Sequence, residues 1–194
     1  MRFKIVSSLV AATALLPFMA QAADLSYSYV DLAYINTDVD HFDESVDGFA
    51  LRGSLELTDQ VFLFAGYTDQ STSIFGDNLD LQTFRLGAGY AWPIAPSLDV
   101  YGKVGYARAE AKYPGPDFSD DGYSLGVGLR GRAAAQLELE GSIDYTDLSD
   151  AGDDTALNLA ARWFFTPQFA AGVEGEFSND ADTYGIGLRW NFGK

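Results

Sequence analysis

The sequence contains no cysteine and a single histidine in 194 residues. Without cysteine there is no disulfide, no thiolate nucleophile and no sulfur ligand for a metal. His41 is therefore the one imidazole available to a histidine-based active site. Asp40 and Asp43 flank it, a setting that stabilises the imidazolium rather than the free base. There is no phosphate loop and no EF-hand spacing. No catalytic residue, cofactor or metal site is expected. Cations are scarce too, 12 Lys and Arg against 28 Asp and Glu. That balance excludes nucleic acid as a partner, because its affinity rests on cationic contacts to phosphate. Long apolar runs are missing beyond the N-terminus, and a membrane-spanning helix needs about 20 apolar residues.

The N-terminus has a different character. Arg2 and Lys4 precede an apolar run from Ile5 through Leu16, which Pro17 ends. Ala20-Gln21-Ala22 then offers small residues at the two positions a signal peptidase reads. This is the pattern of a secretory signal over residues 1–22, cleaved after Ala22. Cleavage leaves 194 − 22 = 172 residues, one domain over 23–194, with a net charge of 10 − 28 = −18.

From Leu25 to Phe192 apolar residues alternate with small or polar ones, the periodicity of strands. Ten stretches show it, at 25–36, 46–57, 61–70, 79–92, 97–110, 121–132, 136–147, 155–165, 168–178 and 183–193. Each is long enough for a tilted strand to cross a bilayer, about 9–11 residues. Short connections such as Thr58-Asp59-Gln60 and Thr166-Pro167 alternate with longer acidic ones. The expected fold is all-β, a single antiparallel transmembrane β-barrel of ten strands with its short turns periplasmic. Eight strands is the alternative, if the first and third stretches do not pair.

Facing separates this from a soluble barrel. Tyr184, Ile186, Leu188, Trp190 and Phe192 share one face of the last stretch, and Gly185, Gly187, Arg189 and Asn191 the other. Along the barrel one face is apolar and the other small or ionic. On the apolar face Tyr67, Tyr106, Tyr123, Tyr145 and Tyr184 fall near the loop ends of their strands. Trp92, Trp163, Trp190 and Phe192 fall near the turn ends. Two aromatic belts around an aliphatic band are what two water–lipid interfaces select.

Three motifs carry a resemblance: Leu25-Ser26-Tyr27-Ser28-Tyr29-Val30, Phe84-Arg85-Leu86-Gly87-Ala88-Gly89-Tyr90 and Asp121-Gly122-Tyr123-Ser124-Leu125. The chain resembles the small outer-membrane β-barrel family that includes the plant-pathogen protein named as an activator of rice receptor-mediated immunity. The resemblance spans the mature chain and implies a bacterial outer-membrane barrel exported through the periplasm. The last stretch resembles the signal read by the barrel-assembly machinery, although Gly193 and Lys194 follow the expected terminal aromatic.

Parity places seven cations inside: Arg52, Arg85, Lys103, Arg130, Arg132, Arg162 and Arg189. It places seven anions beside them: Glu56, Asp99, Glu138, Glu140, Asp144, Glu174 and Glu176. Isolated buried charge is strongly disfavoured, so structural ion pairs between neighbouring strands are expected. Inward glycines at 87, 89, 105, 126, 128, 172, 185 and 187 leave volume into which the arginines fold. Excess acid sits in the outer loops, as at Asp38, Asp40, Asp43, Glu44 and Asp47, or Asp150, Asp153 and Asp154. Three functions are open. One is a non-enzymatic envelope or surface-interaction protein, with outer-membrane lipid, lipopolysaccharide and an unidentified surface ligand as partners. The second is a narrow passive pore for ions or small solutes. The third is a lipid- or peptide-modifying enzyme, which would have to work through His41.

Overall fold

The computed structural model describes residues 25–39, 45–74, 77–112 and 117–193. The expected signal segment, and His41 with Asp40, Asp43 and Glu44, lie outside the described residues. Ten strands follow in chain order: β1 (Tyr29–Val39), β2 (Val46–Glu56), β3 (Val61–Ile74), β4 (Asp77–Ala95), β5 (Leu98–Lys112), β6 (Phe118–Ala134), β7 (Leu137–Leu148), β8 (Gly152–Phe164), β9 (Phe169–Phe177) and β10 (Ala181–Asn191). Each pairs antiparallel with the next, and β1 closes on β10 from Tyr29↔Asn191 to Val39↔Ala181. The barrel therefore has ten strands, and the eight-strand alternative falls. The third stretch pairs on both sides, with β2 from Phe62 and with β4 from Val61 to Ile74.

Alternation sets which residues meet lipid. Leu32, Leu51, Leu86, Val104, Val127, Leu129, Ile186 and Leu188 are exposed on the outer surface, while their chain neighbours point inward. Such a surface is stable only against hydrocarbon, and closure leaves no unpaired strand edge inside it. The turn-end belt is a run of touching rings. Phe165 stacks on Phe169, Phe169 on Trp190, and Trp190 lies against Phe192. At the loop end Tyr34 meets Phe49, Tyr123 meets Tyr145 and Phe177 meets Tyr184.

Two of the short turns share one local solution. In Thr58-Asp59-Gln60, the threonine Oγ1 accepts from the backbone N–H of Gln60 (3.4 Å) and Val61 (3.0 Å). In Thr166-Pro167-Gln168 it accepts from Gln168 (3.3 Å) and Phe169 (3.0 Å). A side-chain hydroxyl that satisfies turn amides reverses the chain without glycine.

The start of the first strand differs from the periodicity reading. β1 begins at Tyr29, and Leu25–Ser28 lies outside the strand. Ser26, Tyr27 and Ser28 are nevertheless buried. The Tyr27 N–H donates to Glu56 Oε1 (2.9 Å), and the Phe192 N–H donates to the Ser28 carbonyl (3.0 Å). The alternation in Tyr27-Ser28-Tyr29 reflects a segment laid across the turn-end mouth with Tyr27 aimed into the lumen.

Candidate functional site

The lumen begins with a charge problem. Arginines that face inward at the turn end are far from bulk water, and burial is tolerable only with close, hydrogen-bonded partners. Here the common partner is Glu138, on the second residue of β7, with 0% of its side chain exposed. Arg130 of β6 donates to it through Nε (3.0 Å) and Nη2 (3.2 Å). Arg189 of β10 reaches across the lumen to the same carboxylate through Nη1 (3.0 Å). Arg162 and Arg132 stand 3.7 and 3.6 Å from it.

Two further carboxylates complete the cluster. Asp31 takes a bidentate pair from Arg189 Nε and Nη2, both at 2.6 Å, across the closing seam. Glu140 accepts from Arg162 Nη1 (2.7 Å) and from the Tyr101 hydroxyl (2.8 Å). Parity had not placed Asp31 inside, because the first strand did not choose a face from its pattern alone. Its register partners Arg52 and Arg189 identify it, but only once the pairing is known.

The other half of the turn-end lumen is aromatic. Tyr27 stacks on Phe62 with ring centroids 4.6 Å apart, and Tyr101 meets both edge-on at 6.4 and 6.5 Å. Ala91 is buried with them, and Leu25 and Phe64 pack around them. The inward glycines on this side make room for rings rather than for arginines. A Cβ at Gly89 would run into the Phe62 ring, at Gly87 into Phe64 (2.7 Å), and at Gly128 into Tyr101 (2.6 Å). The pairing register explains this, since Phe62 lies opposite Gly89 and Phe64 opposite Gly87. Cation–π contacts join the halves at Tyr27 and line the ionic half with two more rings. Arg130 sits 4.9 Å over Tyr27, Arg189 lies 3.7 Å over Tyr29, and Arg132 lies 3.7 Å over Phe164.

The pairing expected between neighbouring strands describes only part of this. Arg130–Glu138 and Arg162–Glu140 join adjacent strands. Arg52–Glu174 (2.7 Å) instead links β2 to β9 across two intervening strands, and Lys103–Asp144 (3.1 Å) links β5 to β7 across β6. Folded inward, a long side chain shortcuts the curvature that flat parity cannot see. Among the described residues Arg85, Glu56, Asp99 and Glu176 take part in no ion pair. Glu56 instead holds the N-terminal segment through the Tyr27 N–H and the Ser28 hydroxyl.

Above the cluster the lumen widens into a cavity of about 280 Å³ that runs up toward the loop end. It shares its floor with the cluster through Asp31, Glu140, Arg162 and Arg189, and above that floor its walls differ in sign. Arg52, Arg85 and Lys103 stand on β2, β4 and β5, and Asp144, Glu174 and Glu176 on β7 and β9. Trp92, Trp163, Trp190, Phe192, Tyr67, Tyr106, Tyr123 and Tyr184 all face outward and are exposed. Tyr145 shares their face and lies against Tyr123.

A closed ten-strand barrel with belts outside and charge inside has a counterpart among known proteins. Residues 8–192 match the family described as outer membrane protein beta-barrel domain. The chain belongs to that family. Membership covers every strand and agrees with a bacterial outer-membrane barrel. No curated protein matches the chain. Among solved structures it is similar to the NanC porin, at 8% identity and a TM-score of 0.54, covering 84% of this chain and 100% of that one. It is also similar to the KdgM porin in complex with disordered oligogalacturonate, at 13% identity and a TM-score of 0.51, over 85% and 99% of the two chains. Ail, the attachment invasion locus protein of Yersinia pestis, in complex with the heparin analogue sucrose octasulfate, matches at 16% identity and a TM-score of 0.47, over 84% and 94%. At these identities the likeness is one of fold.

Proposed function

We propose that the mature chain is a non-enzymatic outer-membrane barrel, closed to flow at its periplasmic end, that works through its outer surface. The observation that carries this is the buried turn-end cluster. Glu138 and Arg130 are 0% and 1% exposed, and the Tyr27–Phe62–Tyr101 rings fill the space beside them. Barrels of about eight strands are just filled by side chains, and wide aqueous channels appear at sixteen or more, so ten strands lie nearer the filled end. The surface left for function is acidic. Asp47, held by the Tyr34 hydroxyl (2.8 Å) and Asn36 (2.7 Å), and Asp120, which accepts from the Asp150 and Ala151 N–H groups, stand at the loop end.

On this reading the chain is exported through the periplasm after loss of residues 1–22 and is inserted by the assembly machinery through β10. Its loops then meet lipopolysaccharide or a surface ligand. Its three sequence motifs support kinship with the group that includes the plant-pathogen protein named for rice immunity. The second reading is the narrow pore, which the cavity above the cluster favours. Planar-bilayer conductance of the refolded mature barrel separates the two, with Arg130→Ala and Glu140→Ala in parallel. A silent parent and leaking variants support the closed barrel. Discrete openings in the parent, with selectivity shifting oppositely in the two variants, make it a channel.

A further inference from the structure

The cavity above the cluster contains two charges that the protein leaves without an ionic partner among the described residues, Arg85 and Glu176. They stand on β4 and β9. In a closed ring of ten strands these are five steps apart in either direction, so the two side chains rise from opposite walls.

Each has polar neighbours fixed by register. Arg85 pairs with Gly66, and one inward position closer to the loops Thr68 pairs with Thr83; both threonines line the cavity. Gly66 has no side chain to stand between Arg85 and Arg52, the cation two strands away. Glu176 lies opposite Thr183 on one side and Asn158 on the other, and both of these also line the cavity. One wall thus presents a guanidinium with two hydroxyls, and the facing wall a carboxylate with a hydroxyl and an amide. The other charges along the cavity are already matched: Arg52 pairs with Glu174 and Lys103 with Asp144, while Asp31, Glu140, Arg162 and Arg189 belong to the cluster at its floor.

We propose that this cavity is a binding site for a small zwitterion, its carboxylate on Arg85, Thr68 and Thr83 and its ammonium on Glu176 and Thr183. A lone anion would gain the first wall and be repelled by the second, and a lone cation the reverse. A molecule with both charges satisfies the two together, and charge-assisted hydrogen bonds are the strong ones. The volume suits it. A space of about 280 Å³ holds the share of roughly nine waters at ~30 Å³ each, which is room for a short amino acid and some solvent. The site rests on the closed-barrel reading, because a molecule held above a sealed base is retained rather than passed.

The test is calorimetric titration of the refolded mature barrel in detergent micelles with glycine, 4-aminobutanoate and 6-aminohexanoate. Butanoate and butylammonium serve as single-charge controls. The expected result is saturable binding of at least one zwitterion, with both controls weaker by about tenfold or more. Arg85→Gln and Glu176→Gln each weaken it by a similar factor, and the exchange Arg85→Glu with Glu176→Arg restores it. Heat-modifiable gel mobility reports folding of every variant. If one single variant does not fold, the other and the exchange still decide. No saturable heat from any of the three zwitterions overturns the proposal, as does equal binding of butanoate or indifference to Glu176→Gln. Conductance recorded on the same samples keeps the two readings apart. An open parent sinks the closed barrel, whereas a silent parent without binding sinks the site alone.

Discussion

The turn-end lumen is filled twice, by unlike means. On the side of β6 to β10 and β1, four arginines and three carboxylates occupy it. On the side of β3 to β5, rings fitted over glycines do so. The ionic half is held by directional bonds to a few shared atoms, so losing one atom strands several charges together. The aromatic half is held by shape, so its losses scale with the volume removed. An ionic filling specifies one arrangement, and an aromatic one tolerates approximate neighbours.

Four substitutions sharpen that contrast, read as urea unfolding of the refolded barrel in lipid vesicles. Glu138→Gln keeps the shape and removes the charge shared by four arginines. It should cost about 4 kcal/mol, within the range for breaking a buried pair. A loss below about 1 kcal/mol would mean the arginines find other partners. Phe62→Ala should cost about 3 kcal/mol, through the cavity it leaves under Tyr27. Gly89→Ala, which drives a methyl into the Phe62 ring, should cost about 2 kcal/mol. In the Phe62→Ala background that penalty should vanish, and additivity of the two would show that they do not touch. Arg132→Gln should cost the least, about 1 kcal/mol. Arg132 makes no hydrogen bond to Glu138, and its main contact is the face of Phe164.

The same contrast explains what could be read before the fold was known. Strand number, facing and both belts follow from period-two alternation, since an outer face in lipid must be apolar at every second residue. The arginines on their glycine-rich faces were legible for the same reason. The rings inside were not. Phe62, Phe64 and Tyr101 are the residue types that also furnish the belts, so composition cannot sort them. What sorts them is the pairing of Phe62 with Gly89 and of Phe64 with Gly87, which lies in the register between two strands. Asp31 escaped for a related reason, its strand being entered through a segment that is not a strand. Pairings such as Arg52 with Glu174 need the curvature of the closed ring, which no local pattern carries.

The seam between β1 and β10 joins the two ends of the chain. Asp31 and Arg189 stand 158 positions apart, and their bidentate contact forms only when the first and last strands meet. Every other strand pair is a hairpin that forms from neighbours in sequence. Closing the ring is therefore the step with the highest contact order and the largest loop-closure entropy. Arg189 also grips Glu138 on the far side of the lumen, so one side chain couples the final seam to the filling of the interior. A barrel still open along that seam would hold Glu138 one arginine short. Interior order and ring closure would then mature together, and Arg189 would report the moment the cylinder is complete.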